Sequence, residues 1–474
     1  MSNKLERRYG LPTAICMVIG IVIGSGVFFK AEKILSETGG NLPVGILAWV
    51  LGGIVMVCCA YAFSILATRH EKVNGICDYA EAVIGKKYSF LIGWFLAIFY
   101  YPSLTGVLAW ISARYICVLM GWEIYGAQCM ALAGFLLVAS FALNALSPVL
   151  SGKFQVSTTA IKLVPLLLMA VVGTIKGLSN GLLVENFTTV VTEDVSAFGS
   201  LFKAIVATCF AYEGWIIATS INAELKDAKK NLPRALVIGT IAVVLIYIVY
   251  YIGLAGGISN AEMMAGGEQG AKIAFSAVFS KFAGTFLFVF VVISCIGTLN
   301  GLMLGNTRGL YSCAMHSDLK SFELFKQIDP ATNMATNSAI AGLVLAAGWL
   351  LYFYGSVITT IGGNAPWFGQ FSFDASELPI VTVYGMYLPI FVAMFFKEKG
   401  LGFFKGKVAP IAAMVAALFM VGAAIYAHGI APYMEAKANG EFSMPILFYL
   451  IIYVVIMIIG IGFLVKGNKK KKAK

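Results

Sequence analysis

The sequence contains many long apolar stretches separated by short polar loops. A helix needs about 20 apolar residues to cross the hydrocarbon of a bilayer, and counting such stretches predicts about twelve membrane spans. We number them 1 to 12 in chain order. They are predicted near residues 11–30, 43–67, 88–118, 128–147, 154–175, 198–223, 234–256, 281–313, 335–354, 377–396, 408–428 and 444–466. The sequence therefore predicts an all-α membrane protein.

Composition excludes an ordinary soluble protein. The chain is 59% hydrophobic and only 12% charged, whereas a soluble domain carries about 25% charged residues. The net charge of +11 is concentrated in particular loops and in the C-terminal tail. Anchoring at a membrane surface therefore explains it better than a nucleic-acid partner.

The basic residues predict how the chain crosses the membrane. Cytoplasmic loops are enriched in lysine and arginine. Alternate loops and both termini hold Lys4, Arg7, Arg8, Arg69, Lys72, Lys86, Lys87, Lys153, Lys226, Lys229, Lys230, Lys320, Lys326, Lys397, Lys399, Lys405, Lys407 and Lys469–Lys472. The remaining loops are mostly acidic, with Glu123, Glu185, Glu193, Asp194, Glu262, Glu268, Asp374, Glu435 and Glu441. We expect a multi-pass protein of the inner or plasma membrane with both termini in the cytoplasm. The first stretch is a retained helix, because it exceeds the core of a signal peptide.

Cysteine and histidine give no sign of a metal, a disulfide framework or a cofactor. Most of the nine cysteines fall inside apolar stretches, without the paired spacing of metal ligands. The three histidines, His70, His316 and His428, are far apart in sequence. We expect no metal site and no cofactor.

Two spans carry residues that do not suit an unbroken membrane helix. Span 1 contains Gly24, Ser25 and Gly26 in its middle, all with low helix propensity. Span 6 contains Glu213 and Gly214 near its centre, where a carboxylate is costly unless it faces a cavity or a partner. Close packing of helices is the alternative explanation for the glycines.

The positions of the two breaks indicate a transporter. Spans 1 and 6 would begin two five-helix halves, and interrupted helices at matching places mark the binding site of inverted-repeat transporters. An unwound backbone at membrane depth is tolerated only beside a cavity or within protein. Its N–H groups suit a carboxylate and its carbonyls suit an ammonium, and an α-amino acid presents both.

Several motifs together resemble the amino acid–polyamine–organocation (APC) superfamily, most closely bacterial amino acid permeases and L-type amino acid exchangers. They are Gly24–Phe28 in span 1, Phe210–Trp215 in span 6, the stretch Glu224–Ala235, and Gly297–Gly301 with Arg308 in span 8. The resemblance implies twelve helices with a LeuT-like five-plus-five inverted repeat and broken helices 1 and 6. The single transporter domain, 1–474, would then comprise a cytoplasmic tail (1–10), two repeats (11–176 and 198–396), two final helices (408–466) and a basic tail (467–474).

The same resemblance implies the substrate site. The substrate carboxylate would meet the backbone of Ile23, Gly24, Ser25 and Gly26, and the amine would meet carbonyls around Phe210, Ala211 and Glu213. Trp215 would close over the substrate as an aromatic gate, or would be an ordinary packed side chain. Tyr100 and Tyr101 in span 3 are weaker candidates for the cavity wall, and Arg114 and Arg308 are explained by snorkelling to the interface.

Lys162 lies inside span 5, where an ammonium is expensive unless it is paired, neutral or in water. In sodium-independent relatives, the resemblance implies, a lysine at this place replaces the sodium ion that joins helices 1 and 8. Its ammonium would approach the carbonyls of Gly20 and Ile21 and polar groups of Ser294 or Thr298. In a second interpretation, Lys162 releases its proton during the transport cycle. Both interpretations predict transport without sodium.

Glu213 bears on the substrate class. In some cationic amino acid carriers that resemble this chain, an acidic residue stands at this place. A carboxylate there could pair with the second amino group of lysine, ornithine or arginine. In the alternative, the protein carries neutral amino acids and Glu213 relays protons.

A multi-pass membrane protein of this kind could be a carrier, a channel or an enzyme. The paired breaks favour a secondary carrier, working by exchange or proton symport. A channel would show a selectivity-filter repeat or a ring of charges, which the sequence lacks. Neither a catalytic constellation nor a phosphate-binding loop is present. The partners expected are an amino acid substrate and lipid, with no nucleic acid. The resemblance to L-type exchangers implies that a heavy chain would attach through a cysteine in the loop after span 3. Residues 119–127 hold no cysteine, so no disulfide-linked heavy chain is expected.

Overall fold

The structure is a computed structural model that describes residues 10–70, 75–192, 196–216, 225–317, 319–330 and 334–472. These residues are almost entirely helical. The predicted tail residues 1–9, the part of span 6 after residue 216, Glu224, and residues 473–474 lie outside the described ranges.

Ten helices in the described ranges are long and apolar enough to cross a membrane. They are spans 2–5 and 7–12: Leu42–Arg69, Lys86–Met120, Ala127–Leu146, Ala160–Ser179, Ala228–Ala255, Lys281–Met315, Thr336–Ile361, Leu378–Lys397, Phe404–Ala438 and Pro445–Val465. The helix of span 5 begins earlier, at Pro148, and that of span 12 continues to Lys472.

The remaining two spans are interrupted helices. Span 1 consists of Leu11–Val22, which we call span 1a, and Gly26–Glu37, which we call span 1b. Span 6 begins with Ala197–Ala211, which we call span 6a, and leaves the α-helical path directly afterwards. The prediction of about twelve membrane helices, with breaks in the first and the sixth, is confirmed.

Twelve crossings place the start of span 1 and the end of span 12 on one side of the bundle. We call the side of Leu11 and Arg69 the terminal face, and the side of Glu37 and Leu42 the distal face. A short helix on the terminal face, Ile76–Val83, joins spans 2 and 3 and is called the connector helix below.

Small residues let the spans approach at backbone distance. An added Cβ on Gly173 of span 5 would lie 2.3 Å from the carbonyl oxygen of Gly253 in span 7. Large apolar side chains instead cover the outside of the bundle: Phe282 is 85% exposed and Phe135 67% exposed. Small residues between the helices and large apolar side chains on the outside fit a protein surrounded by lipid, where helices associate by close packing.

A buried cluster of charges ties span 1b to spans 10 and 11 near the distal face. The Nζ of Lys30, a side chain with no exposure, lies 2.5 Å from the Oε1 of Glu377, and the Nζ of Lys33 lies 2.7 Å from the same oxygen. The other carboxylate oxygen of Glu377 faces His428 Nε2 at 3.0 Å. Asp374 adds a second acidic group, 3.2 Å from Lys33.

The lysines determine the charge state of this cluster. Burial raises the pKa of Glu377, but Lys30 and Lys33 outweigh burial and hold that pKa well below its ordinary value. Glu377 therefore remains ionised at neutral pH and serves as the common partner of three basic side chains.

Glu377→Gln should be strongly destabilising. The substitution keeps the shape but leaves the buried ammonium of Lys30 without its carboxylate, which typically costs about 3–5 kcal/mol. Thermal unfolding of the purified variant in detergent should show a clear drop in midpoint. The control is Glu323→Gln, whose ion pair with Lys326 is exposed and should matter little. Equal midpoints for the two variants would contradict the stabilising role of the cluster.

Candidate functional site

The first break exposes backbone and a hydroxyl in the middle of the bundle. Span 1a ends at Val22, and Ile23 continues in an extended conformation, with ψ at 109°. At the start of span 1b, the N–H groups of Gly26 and Val27 have no carbonyl one turn earlier to bind, whereas those of Phe28 and Phe29 bind the carbonyl of Ser25. Ser25 is fully buried, and its Oγ has no hydrogen-bond partner among the described residues. The break therefore offers free donors at the positive end of a helix.

The second break follows span 6a. Tyr212, Glu213 and Gly214 form a turn, and Trp215 and Ile216 begin a tighter helical turn. Gly214 has a φ of +107°, a conformation that side-chain-bearing residues rarely adopt. Helix ends leave carbonyls without intrahelical partners, so this break presents acceptors where the first presents donors.

The two breaks are in direct contact. An added Cβ on Gly26 would lie 2.4 Å from the Cα of Ala211 and 3.1 Å from the carbonyl oxygen of Phe210. Only glycine at position 26 lets the two backbones meet at this distance. The start of span 1b and the end of span 6a thus form one continuous polar surface.

Tyr247 of span 7 joins the ends of spans 1a and 6a. Its hydroxyl lies 3.1 Å from the carbonyl oxygen of Val22 and 3.1 Å from that of Ala211. A hydroxyl carries one proton, so Tyr247 donates to one of these carbonyls at a time. The sequence analysis missed this residue, because the only signal was a tyrosine among several in span 7.

Glu213 projects into a group of tyrosines. The hydroxyl of Tyr100 in span 3 donates to its Oε1, and the ring of Tyr101 lies 5.2 Å from that of Tyr100. Among the described residues, Glu213 makes no ion pair with a lysine or arginine. From the sequence, Tyr100 is only a weaker candidate for the cavity wall, and the structure gives it a polar partner beside the second break.

Trp215 is buried between aromatic rings. Its ring centroid lies 5.8 Å from that of Phe63 in span 2 and 5.9 Å from that of Tyr387 in span 10. In this conformation Trp215 packs against spans 2 and 10, and its role as a gate stays a prediction.

Lys162 connects span 5 to the end of span 1a. Its Nζ donates to the carbonyl oxygen of Gly20 at 2.5 Å, and the residue is 1% exposed. No direct bond joins Lys162 to Ile21, Ser294 or Thr298 in the described part of the chain. The predicted lysine thus reaches span 1, whereas its expected contacts with span 8 are absent.

Span 8 contacts the first break directly, through Thr298 against Gly24. An added Cβ on Gly24 would lie 2.6 Å from the Oγ1 of Thr298. One turn earlier, the Oγ of Ser294 is buried and has no hydrogen-bond partner among the described residues. Two unused hydroxyls, those of Ser25 and Ser294, therefore lie within the structure that surrounds the first break.

A cavity of about 220 Å³ lies between the connector helix, span 3 and span 8 on the terminal side. This volume has room for several water molecules. Its wall includes Tyr101 and Ile216, next to the second break, and Arg308 toward the terminal face. The predicted substrate residues do not line it, so the cavity ends beside the breaks.

The prediction that Arg114 snorkels to the interface is wrong. The residue is 3% exposed, and its guanidinium lies 5.0 Å from the ring centroid of Phe29 and 5.2 Å from that of Tyr115. Cation–π contacts of this kind stabilise a buried guanidinium. The sequence could not place Phe29 beside it, because that ring comes from span 1b.

These features define a multi-pass membrane transporter, not an enzyme: interrupted helices meet at the centre, and a cavity approaches from one side. Comparison with known proteins identifies the family. The profile described as amino acid permease matches residues 9–458. The chain therefore belongs to the amino acid permease family of the APC superfamily, and its fold is the LeuT-like arrangement of that superfamily.

Several characterised proteins are similar to this chain. It is 30% identical over 400 residues to the serine/threonine exchanger SteT of Bacillus subtilis (strain 168), covering 84% of each chain. It is 26% identical over 352 residues to b(0,+)-type amino acid transporter 1 of Mus musculus, covering 73% of this chain and 71% of the relative. It is 26% identical over 333 residues to Asc-type amino acid transporter 1 of Mus musculus, with 67% and 60% covered.

Gly26→Ala should abolish most transport. The new methyl group would have to displace the backbone at Ala211, which cannot yield as a flexible side chain would. We expect at least a tenfold loss of amino acid uptake into proteoliposomes. Gly348→Ala is the matched control: nothing lies within 4 Å of its added Cβ, so uptake should be unchanged. Equal activity of both variants would mean that contact between the breaks is dispensable.

Proposed function

We propose that this protein is a sodium-independent secondary transporter of amino acids that works by alternating access, as an exchanger or a proton-coupled symporter. The observation that carries the proposal is the contact between the two breaks, with Gly26 against Ala211. Donors at the start of span 1b and acceptors at the end of span 6a lie side by side. An amino acid's carboxylate and ammonium require this pairing.

The substrate would bind across both breaks. Its carboxylate would accept from the backbone at Gly24–Gly26 and from the unpartnered Ser25 hydroxyl. Its ammonium would be held by carbonyls at the end of span 6a. Each carbonyl oxygen has two lone pairs, so that of Ala211 can serve the substrate while Tyr247 donates to it.

Lys162 would replace a bound sodium ion. Its ammonium already holds the end of span 1a through the Gly20 carbonyl. A tethered cation of this kind positions the first break without any ion from solution.

The described conformation fits a carrier that faces one side. The charge cluster around Glu377 holds span 1b on the distal side, and the cavity approaches the breaks from the terminal side. By the distribution of lysine and arginine, the terminal face is cytoplasmic, and the membrane is the inner or plasma membrane. The helix bundle that contains spans 1 and 6 would then move against a scaffold of other helices around the central site.

Glu213 bears on the substrate class, and we propose two alternatives for its role. Its carboxylate has no ion pair in the described structure and could bind the side-chain cation of lysine, ornithine or arginine. The alternative is a neutral amino acid exchanger in which Glu213 relays protons. The Bacillus relative, named a serine/threonine exchanger, supports this alternative. Outside the carrier class, an ion or solute channel is the rival, and counterflow in liposomes would separate the two.

Lys162→Ala should remove most transport while leaving the fold intact. Without the ammonium, the Gly20 carbonyl loses its partner and the end of span 1a is no longer fixed. Uptake into sodium-free proteoliposomes should fall at least tenfold, with an unchanged elution profile of the purified protein. The matched control is Lys176→Ala, which removes a lysine of the same span that donates to the Ala277 carbonyl near the distal face. Normal uptake by Lys162→Ala, or wild-type uptake that requires sodium, would refute the coupling role.

Glu213→Gln should separate the two substrate classes. A charged hydrogen bond contributes about 1.5–3 kcal/mol, so losing it should weaken competition by lysine and arginine about 10–100-fold. Competition by serine, alanine and leucine should change little. The control is Glu323→Gln, far from the site. If basic amino acids fail to compete in the wild type, the cationic version is excluded and the neutral exchanger is retained.

A further inference from the structure

Folding brings one histidine and two carboxylates together on the terminal face. Asp78 and Glu81 lie three residues apart on the connector helix, so their side chains share a face. His316 follows the end of span 8. Its Nε2 lies 3.2 Å from Asp78 Oδ1 and 3.4 Å from Glu81 Oε2. All three ligand atoms lie within 4.8 Å of one another.

A hydrogen bond outside the cluster orients the histidine. Its Nδ1 lies 2.8 Å from the carbonyl oxygen of Ser312. A carbonyl can only accept, so Nδ1 carries a proton and donates to it. In this structure Nε2 faces Asp78 Oδ1 at hydrogen-bond distance and donates to it, and a metal ion would take the place of that proton. A backbone carbonyl that fixes the other ring nitrogen in this way is typical of metal-ligating histidines.

The spacing fits a tetrahedral cation. Zinc bonds to nitrogen and carboxylate oxygen are about 2.0–2.2 Å long, which places neighbouring ligand atoms of a tetrahedron about 3.3–3.6 Å apart. The distances of 3.2 and 3.4 Å from Nε2 match these edges closely. One imidazole and two carboxylates, with a fourth position for water, form a three-ligand set of the kind zinc accepts.

We propose that Asp78, Glu81 and His316 form a binding site for one Zn²⁺ ion on the terminal face. The sequence predicted no metal site, because the three histidines are far apart along the chain. It could not show that the connector helix presents two acidic side chains to the end of span 8.

A metal ion could reach this site from the cavity, and a bound ion would restrict movement of the connector helix relative to span 8. Cys77 and Ser312, next to the ligands in sequence or in space, line the cavity on the terminal side. A bound ion would fasten the connector helix to span 8 at the edge of that cavity. Zinc on the terminal side should therefore slow transport, a consequence that rests on the proposed function.

Zinc binding to the purified, metal-stripped full chain tests the site without relying on transport. Titration against a fluorescent zinc chelator should give one ion per chain. His316→Ala should abolish the binding, and Glu81→Gln should weaken it at least tenfold. Glu81 is the most exposed of the three ligands, so its variant should fold even if His316→Ala does not.

His70→Ala provides the matched control. His70 also lies on the terminal face and meets Glu398 at 2.9 Å, but Arg69 takes the other oxygen of that carboxylate. Zinc binding should be unchanged in this variant. No zinc binding by the wild type, or equal binding by wild type and Glu81→Gln, would overturn the site. Zinc that binds without slowing uptake would overturn only its effect on transport.

Discussion

The centre of this protein depends on one backbone contact, between Gly26 in span 1 and Ala211 in span 6. Lipid cannot hydrogen-bond to an unwound chain, so each broken helix must have its polar groups satisfied by protein, water or ligand. Placing the start of one half-helix against the end of another brings donors and acceptors together. Under the proposed function, a substrate that carries both charges would join these groups, which connects the fold to its substrate.

The surrounding helices support this contact but leave the first N–H groups of span 1b available. Tyr247 supports the carbonyl ends of spans 1a and 6a, Lys162 holds span 1a from span 5, and Thr298 packs on Gly24 from span 8. Each support acts on the carbonyl end of span 1a or 6a or on the outer surface of the break. The hydroxyl of Ser25 and the donors of span 1b therefore stay available. Supported carbonyl ends beside available donors suit a site that must bind and release its ligand repeatedly.

The sequence predicted the helices and the breaks well because both are local properties. Runs of about 20 apolar residues mark the spans, and glycine or glutamate at mid-span marks the interruptions. Contacts between distant spans were not predictable. Tyr247 is one tyrosine among several, Arg114 resembled an interfacial residue, and His316 lies far along the chain from Asp78 and Glu81. In each case the partner comes from another helix, and no spacing in the sequence encodes that approach.

Buried charges in this protein are concentrated where spans 1 and 6 meet the rest of the bundle. Lys162 faces a backbone carbonyl, Glu213 faces a tyrosine hydroxyl, and Lys30 faces a full carboxylate. The last of these interactions is the strongest, since ion pairs bind more strongly than hydrogen bonds to neutral groups. The firmest attachment therefore holds span 1b on the distal side, and the weakest charged contacts lie at the breaks. Movement that begins at the breaks costs less than movement that begins at Glu377, so the distal side should open last.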